Sequence, residues 1–278
     1  MISKSKIQWV SILGLTLVCS LTSCYEHPEG CMDVRAANYD VKADQPCDDC
    51  CKYPELKLTV SHFFEGNPAD TGTFLVLEDV PDVRIRSLTF YVSDIKLLNG
   101  TNDSESTIEE FISVGNRTGN LLSYYDARYA VAKIKFGPTK TISLGTFKNA
   151  DLYKGIQMNF GISEEINHSV MDKISSSHAL YTKTSDGMYL NESDGYYFLK
   201  MELQLEDQSF RTITIQGDDL FRMMALENDF DFRSRTIRTI QMGIEYKSWF
   251  GGIDFHSDSD SAIQQKLSDQ IKFSVSFL

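Results

Sequence analysis

Histidine and tryptophan are scarce in this chain, five of the first and two of the second among 278 residues. His27, His62, His168, His178 and His256 include no two spaced for one helix face or one strand face, so no metal motif is legible as local spacing. No segment carries a nucleophile elbow, a His-Glu-x-x-His pair, a phosphate loop or a dinucleotide fingerprint. Carboxylates are plentiful, yet no linear pattern pairs two of them for acid–base work. The expectation is a protein that is not an enzyme. Positive charge is also short: 27 Lys and Arg face 39 Asp and Glu, for a net −12. That balance argues against nucleic acid and anionic lipid surfaces as partners.

Long apolar runs are missing except at the start. Lys4 and Lys6 precede the apolar stretch Ile7–Leu21, which is too short to remain as a membrane span. It ends in Leu21-Thr22-Ser23-Cys24, which resembles a bacterial lipobox. Residues 1–23 are therefore expected to be a signal peptide, and Cys24 the lipidated residue. The lipid would hold the mature protein to the membrane, as an outer-membrane lipoprotein facing either the periplasm or the cell surface. Loss of the two leader lysines would deepen the net charge to −14.

Beyond Cys24, cysteine occurs only as Cys31, Cys47, Cys50 and Cys51. Four cysteines close together in an exported chain point to two disulfides, and adjacent Cys50 and Cys51 suit tetrahedral zinc poorly. Cys31 is expected to pair with Cys50 or Cys51, and Cys47 with the other. Residues 24–54 hold too few apolar side chains for a core of their own, so covalent links must supply the stability. The run from Gly30-Cys31 through Ala37-Asn38-Tyr39-Asp40 resembles short modules of secreted Bacteroidota proteins. Asp33, Asn38, Asp40 and Asp44 are candidate calcium ligands there, or else turn-forming residues.

Residues 55–278 read as many short strands separated by turns, hence an all-β antiparallel sandwich after the cysteine-rich module. Strands are expected at Glu55–Phe64, Thr73–Leu77, Arg86–Leu98, Glu110–Val114, Asn120–Asp126, Thr139–Phe147 and Tyr153–Ile162. Further strands are expected at Tyr196–Leu205, Phe210–Gln216, Thr236–Lys247 and Ile271–Leu278, with a helix at Ser261–Gln270. The run from Arg86 is the longest alternation, and its mixed faces predict a central strand.

Four segments in order, Leu88–Leu98, Tyr153–Asn167, Gly187–Glu202 and Ile244–Phe255, resemble the MbnP-like family, named for methanobactin operons. The likeness spans Leu56 to the C-terminus. It implies an exported β-sandwich, a di-haem cytochrome peroxidase-like partner, copper in some members, and in some a tryptophan oxidised to kynurenine. Asn167-His168 matches the family's Asn-His, and His178-Ala179-Leu180 partly matches its His-Pro-Leu. Leu190 and Glu192 stand where the family pattern has tryptophans.

His168 and His178 are thus the candidate metal ligands, for copper, in one loop with Glu164, Glu165 and Met171. Asp254, Asp258 and Asp260 form an acidic cluster without the glycine and glutamate of an EF-hand. Trp249 is expected to be a core aromatic. The competing expectations are an adhesion or assembly lipoprotein that binds protein or glycan, and a calcium-stabilised spacer.

Overall fold

A computed structural model of the chain describes residues 27–278, except 100–103, 106–107, 109, 149–151 and 234–237. The expected leader and Cys24 lie outside the described residues, as do the first two residues of the strand expected from Thr236. The chain divides into a unit ending at Lys52 and a unit beginning at Tyr53. Among the described residues, no helix is long and apolar enough to cross a membrane.

The first unit has two short parallel strands, β1 (Glu29–Gly30) and β2 (Gln45–Pro46). Cys31 bonds to Cys51 with Cα atoms 5.0 Å apart, and Cys47 to Cys50 at 5.7 Å. This is one of the two pairings open from the sequence. Among the described residues of this unit only Cys31, Ala36 and Ala43 bury apolar side chains, so the disulfides take the place of a core.

The second unit begins with β3 (Glu55–Phe64), β4 (Asn67–Pro68) and β5 (Val83–Leu98). Then come β6 (Ser104–Glu105), the hairpin β7 (Phe111–Thr118) and β8 (Leu121–Arg128), and β9 (Val131–Lys135). Strands β10 (Lys140–Thr146) and β11 (Leu152–Phe160) lead to a one-turn helix α1 (Glu164–Asn167). The chain continues through β12 (Tyr189–Asn191), β13 (Gly195–Tyr196), β14 (Leu199–Leu205) and β15 (Phe210–Ile215). A 3₁₀ turn at Asp218–Leu220 precedes β16 (Arg222–Asp231) and β17 (Arg238–Glu245). Helices α2 (Tyr246–Phe250) and α3 (Asp260–Ser274) and strand β18 (Val275–Phe277) close it.

One sheet runs β10-β3-β17-β18 and the other β15-β14-β5-β11-β16, with β6 and β9 added on β5. The fold is a β-sandwich over a single apolar core, antiparallel throughout the two sheets except where β17 lies parallel to β3. As expected, β5 is central: it pairs with β14, β11 and β9. Its alternation does not run straight through, however. Asp94 sits at φ +49°, and two steps of β11 (Gln157 to Asn159) oppose three steps of β5 (Lys96 to Ser93). This β-bulge shifts the phase, so that Leu88, Phe90 and Val92 are buried before it and Ile95 and Leu97 after it.

Several boundaries differ from the sequence expectation. The hairpin turns at Gly119-Asn120, with Thr118 opposite Leu121, because Gly119 supplies the positive φ. Thr73–Leu77 forms only a single bridge, Leu75 to Val83. Ile271–Leu278 is not one strand: α3 continues to Ser274, burying Ile263, Leu267 and Ile271 on one face at helical spacing. Strands β9 and β16 were not expected at all.

Candidate functional site

The loop between β11 and β14 carries both candidate histidines, but they line different clefts. His168 follows α1 and faces a cleft with Tyr125, Glu164 and Glu165. Its Nδ1 lies 2.9 Å from the Ser193 carbonyl, which can only accept, so Nδ1 carries the proton. Nε2 is left facing Asp218 Oδ2 at 3.5 Å, and the buried Asp218 Oδ1 has no hydrogen-bond partner. Either a proton or a metal ion on Nε2 suits that carboxylate. Asn167 positions this histidine from within: its Oδ1 accepts from Tyr196 N at 2.8 Å, in a space left open by Gly195.

His178 has the opposite arrangement. The Leu180 N–H donates to its Nδ1 at 3.1 Å, so Nε2 carries the proton and acts as a donor. Ligation through Nε2 would move that proton to Nδ1 and set two N–H groups face to face. Burial and the nearby Lys133 ammonium both hold the imidazole below its usual pKa, neutral at pH 7. A copper centre built on the His168–His178 pair therefore does not fit these residues. Among the described residues, no group of three or more His, Cys, Asp or Glu side chains is placed to hold a metal ion.

The candidate calcium ligands are engaged elsewhere. Asp33 chelates Arg35, Asn38 bonds Cys50 O and Lys52 N, and Asp40 accepts from Lys42 N. Asp44 faces His27 at 3.8 Å. In the second acidic cluster, Asp254 accepts from the His256 and Ser257 N–H groups, Asp258 from Lys266, and Asp260 from Arg211. These are turn and ion-pair contacts. Trp249 is fully buried, donates to Leu267 O at 2.9 Å and stacks on Tyr246, so it belongs to the core as expected. His62 is buried with both nitrogens satisfied, by Lys135 O and the Tyr246 hydroxyl.

What the fold does assemble is a cleft of about 560 Å³ in which Glu110, Lys133, Ser175, Ser177 and His178 line an apolar floor that includes Leu144. That size and mixed lining are typical of small-ligand sites. Burial raises the carboxyl pKa of Glu110, whose side chain has no hydrogen-bond or ion-pair partner among the described residues. It lies over Gly145, where β10 bulges at φ +116° and a Cβ would press on the Glu110 side chain. Lys133 enters from β9, its ammonium 5.4 Å from the Tyr91 ring centroid and 3.3 Å from Asp186. Burial lowers its pKa, and Asp186 resists the shift. Asp186 itself is held at about 2: burial opposes its charge, but a hydrogen bond from Thr184 and the lysines 133 and 135 outweigh that. Glu110, Lys133 and His178 thus bring three displaced proton affinities to one cleft, a recognised mark of a functional site.

Glu110, Lys133 and Asp186 carry no motif in the sequence. One signal was present: Lys133 shares its strand face with Val131 in an otherwise apolar run, and a lysine directed inward needs a partner. Nothing linear joins Glu110 to it.

No curated protein sequence matches the chain. Among solved structures it is similar to MbnP from Methylosinus trichosporium, with 14% identity, 72% of this chain and 78% of that chain covered, and a TM-score of 0.44. The family model of MbnP matches residues 53–266, which is nearly the whole second unit. The chain belongs to the MbnP family.

Proposed function

We propose that this chain is an exported, lipid-anchored, non-catalytic binding protein of the outer membrane, whose sandwich domain takes a small polar ligand in the Glu110–Lys133–His178 cleft. The carrying observation is that Glu110, a partly buried carboxyl without a partner among the described residues, lines the same cleft as a partly buried lysine and a neutral histidine donor. A carboxylate in such a cleft is free to exchange its water for a charged or hydrogen-bonding ligand group. The leader supports the address: Lys4, Lys6, the apolar run and Leu21–Cys24 fall in register. Two tests are direct. Cys24→Ser should move the protein from the membrane fraction to the soluble fraction, and continued retention would sink the anchor. A small-molecule thermal-shift screen should yield ligands whose effect disappears in Glu110→Gln; ligands indifferent to that change would remove the cleft from the account.

A second reading, copper binding beside a di-haem cytochrome peroxidase-like partner, is favoured by one observation. His168 Nδ1–H is tied to a backbone carbonyl, the arrangement that leaves Nε2 free as a ligand, next to Asp218. Calorimetric titration with Cu(I) and Cu(II) tests it, using His168→Ala and His178→Ala separately. Stoichiometric binding lost only with His168 supports the reading. No binding to the wild type ends it.

A further inference from the structure

We infer that the Glu110–Lys133–His178 cleft binds a zwitterion of the amino-acid or short-peptide class, its ammonium at Glu110 and its carboxylate at Lys133 and His178. This rests on the reading of that cleft as a ligand site. The argument is one of charge and hydrogen-bond balance. Lys133 and Lys135 share a single carboxylate, Asp186, at 3.3 Å each, so one positive charge is left over there. Lys200 adds to it, its ammonium 3.3 Å from the Asp186 backbone carbonyl. Beside that surplus, the Leu180 N–H occupies His178 Nδ1 and leaves an Nε2–H with no acceptor among the described residues. This is the donor set for a carboxylate.

Glu110 forms the other pole. It lines the same cleft as Lys133 and His178, yet among the described residues no hydrogen bond or ion pair joins it to either. The carboxyl is therefore set apart from the cationic pole within the same cleft, with one negative charge unmatched. A simple anion would meet Glu110, and a simple cation would meet Lys133 and the His178 N–H. A ligand with both charges separated by a few bonds satisfies both poles. Ser175 and Ser177, hydrogen-bonded to each other at 2.9 Å, add hydroxyls to the cleft lining. The apolar floor accepts a side chain.

The test is calorimetry and ligand-detected NMR on the full-length protein in detergent, with free L-amino acids and dipeptides as probes. Each probe is run beside its N-acetylated and its C-amidated form. The expected result is binding of at least one zwitterion, weakened about tenfold or more by blocking either end, since each charge-assisted contact is worth at least that. In Glu110→Gln the penalty for N-acetylation should vanish, and in Lys133→Met the penalty for C-amidation. Both blocked forms binding as well as the free probe would overturn the inference, and this comparison needs no variant to fold. Glucose and inorganic phosphate are titrated in parallel. If either binds and the zwitterions do not, with loss in the two variants, the zwitterion assignment fails while the cleft remains a ligand site. If no probe of any class binds, both fail.

Discussion

Asn159 Nδ2 donates to Asp94 Oδ2 at 3.3 Å, joining the bulge of β5 to the neighbouring strand β11. Lys96 holds the same oxygen at 2.9 Å. The two residues lie in two different segments that carry the family resemblance, Leu88–Leu98 and Tyr153–Asn167. The bond ties down a residue whose φ of +49° an L-amino acid adopts at a cost. Short polar Asp tolerates that conformation and then uses its carboxylate to fix it.

At Asp94 the backbone should therefore matter more than the charge. Asp94→Gly should lie within about 1 kcal/mol of wild type, because relief of strain offsets the lost hydrogen bonds. Asp94→Val should cost about 2–3 kcal/mol, since a β-branched residue resists positive φ. Urea unfolding decides; equal values for the two variants would mean that the positive φ is not the constraint.

His62 should make stability fall in mild acid. Burial pushes its pKa down to about 4, against the hydrogen bond to Lys135 O, which favours the charged form. The unfolded state takes up a proton near pH 6.5 and the folded state only near 4. Stability is therefore full above about 6.5 and declines as the pH falls through that window, by about 3 kcal/mol in all. His62→Gln, which can keep both contacts, should flatten that part of the profile. Unfolding free energies at pH 7.5, 5.5 and 4 would show it, and an unchanged slope in the variant would assign the acid sensitivity elsewhere.

Gly195→Ala should be severe. A Cβ there would overlap Asn167, and the residue sits at φ +67°. The expected loss is about 2–4 kcal/mol, from strain plus the broken Asn167–Tyr196 bond. Because Asn167 precedes His168, the imidazole NMR signals of His168 should shift while those of His62 stay in place. Unmoved His168 signals would refute the link.

In the first unit, a non-reducing peptide map should recover Cys31 linked to Cys51 and Cys47 linked to Cys50, with no free thiol. The Cys31–Cys51 link spans 20 residues, a loop whose closure is worth about 3 kcal/mol through the unfolded state. Reduction should open this unit while the sandwich, which has no cysteine, keeps its melting temperature. Free thiols in the map would instead return a metal site to consideration.

Much of the fold was legible. Strand β3 was predicted residue for residue, because its alternation buries Leu56, Leu58 and Val60 on one face and meets a clear turn. The centrality of β5 also followed from its two mixed faces. Strand β16 is not legible in the sequence because it lies at a sheet edge, where most of its side chains are exposed and no alternation is enforced. Helix α3 was cut short because Ile271, Val275 and Phe277 fit a strand's period as well as a helix's next turn.

The sequence by itself determined the class of the molecule: a cysteine-linked module, and strands written in alternating apolar residues, whose burial requires only local order. Tertiary structure alone decided the site. Hydrogen bonds to Ser193 O and from Leu180 N give His168 and His178 opposite tautomers, so residues alike in sequence differ as a possible ligand and a donor. It also brought Glu110, Lys133 and His178, distant along the chain, to one cleft. Proton affinity depends on burial and on neighbouring charge, and both are properties of the folded surroundings, not of spacing along the chain.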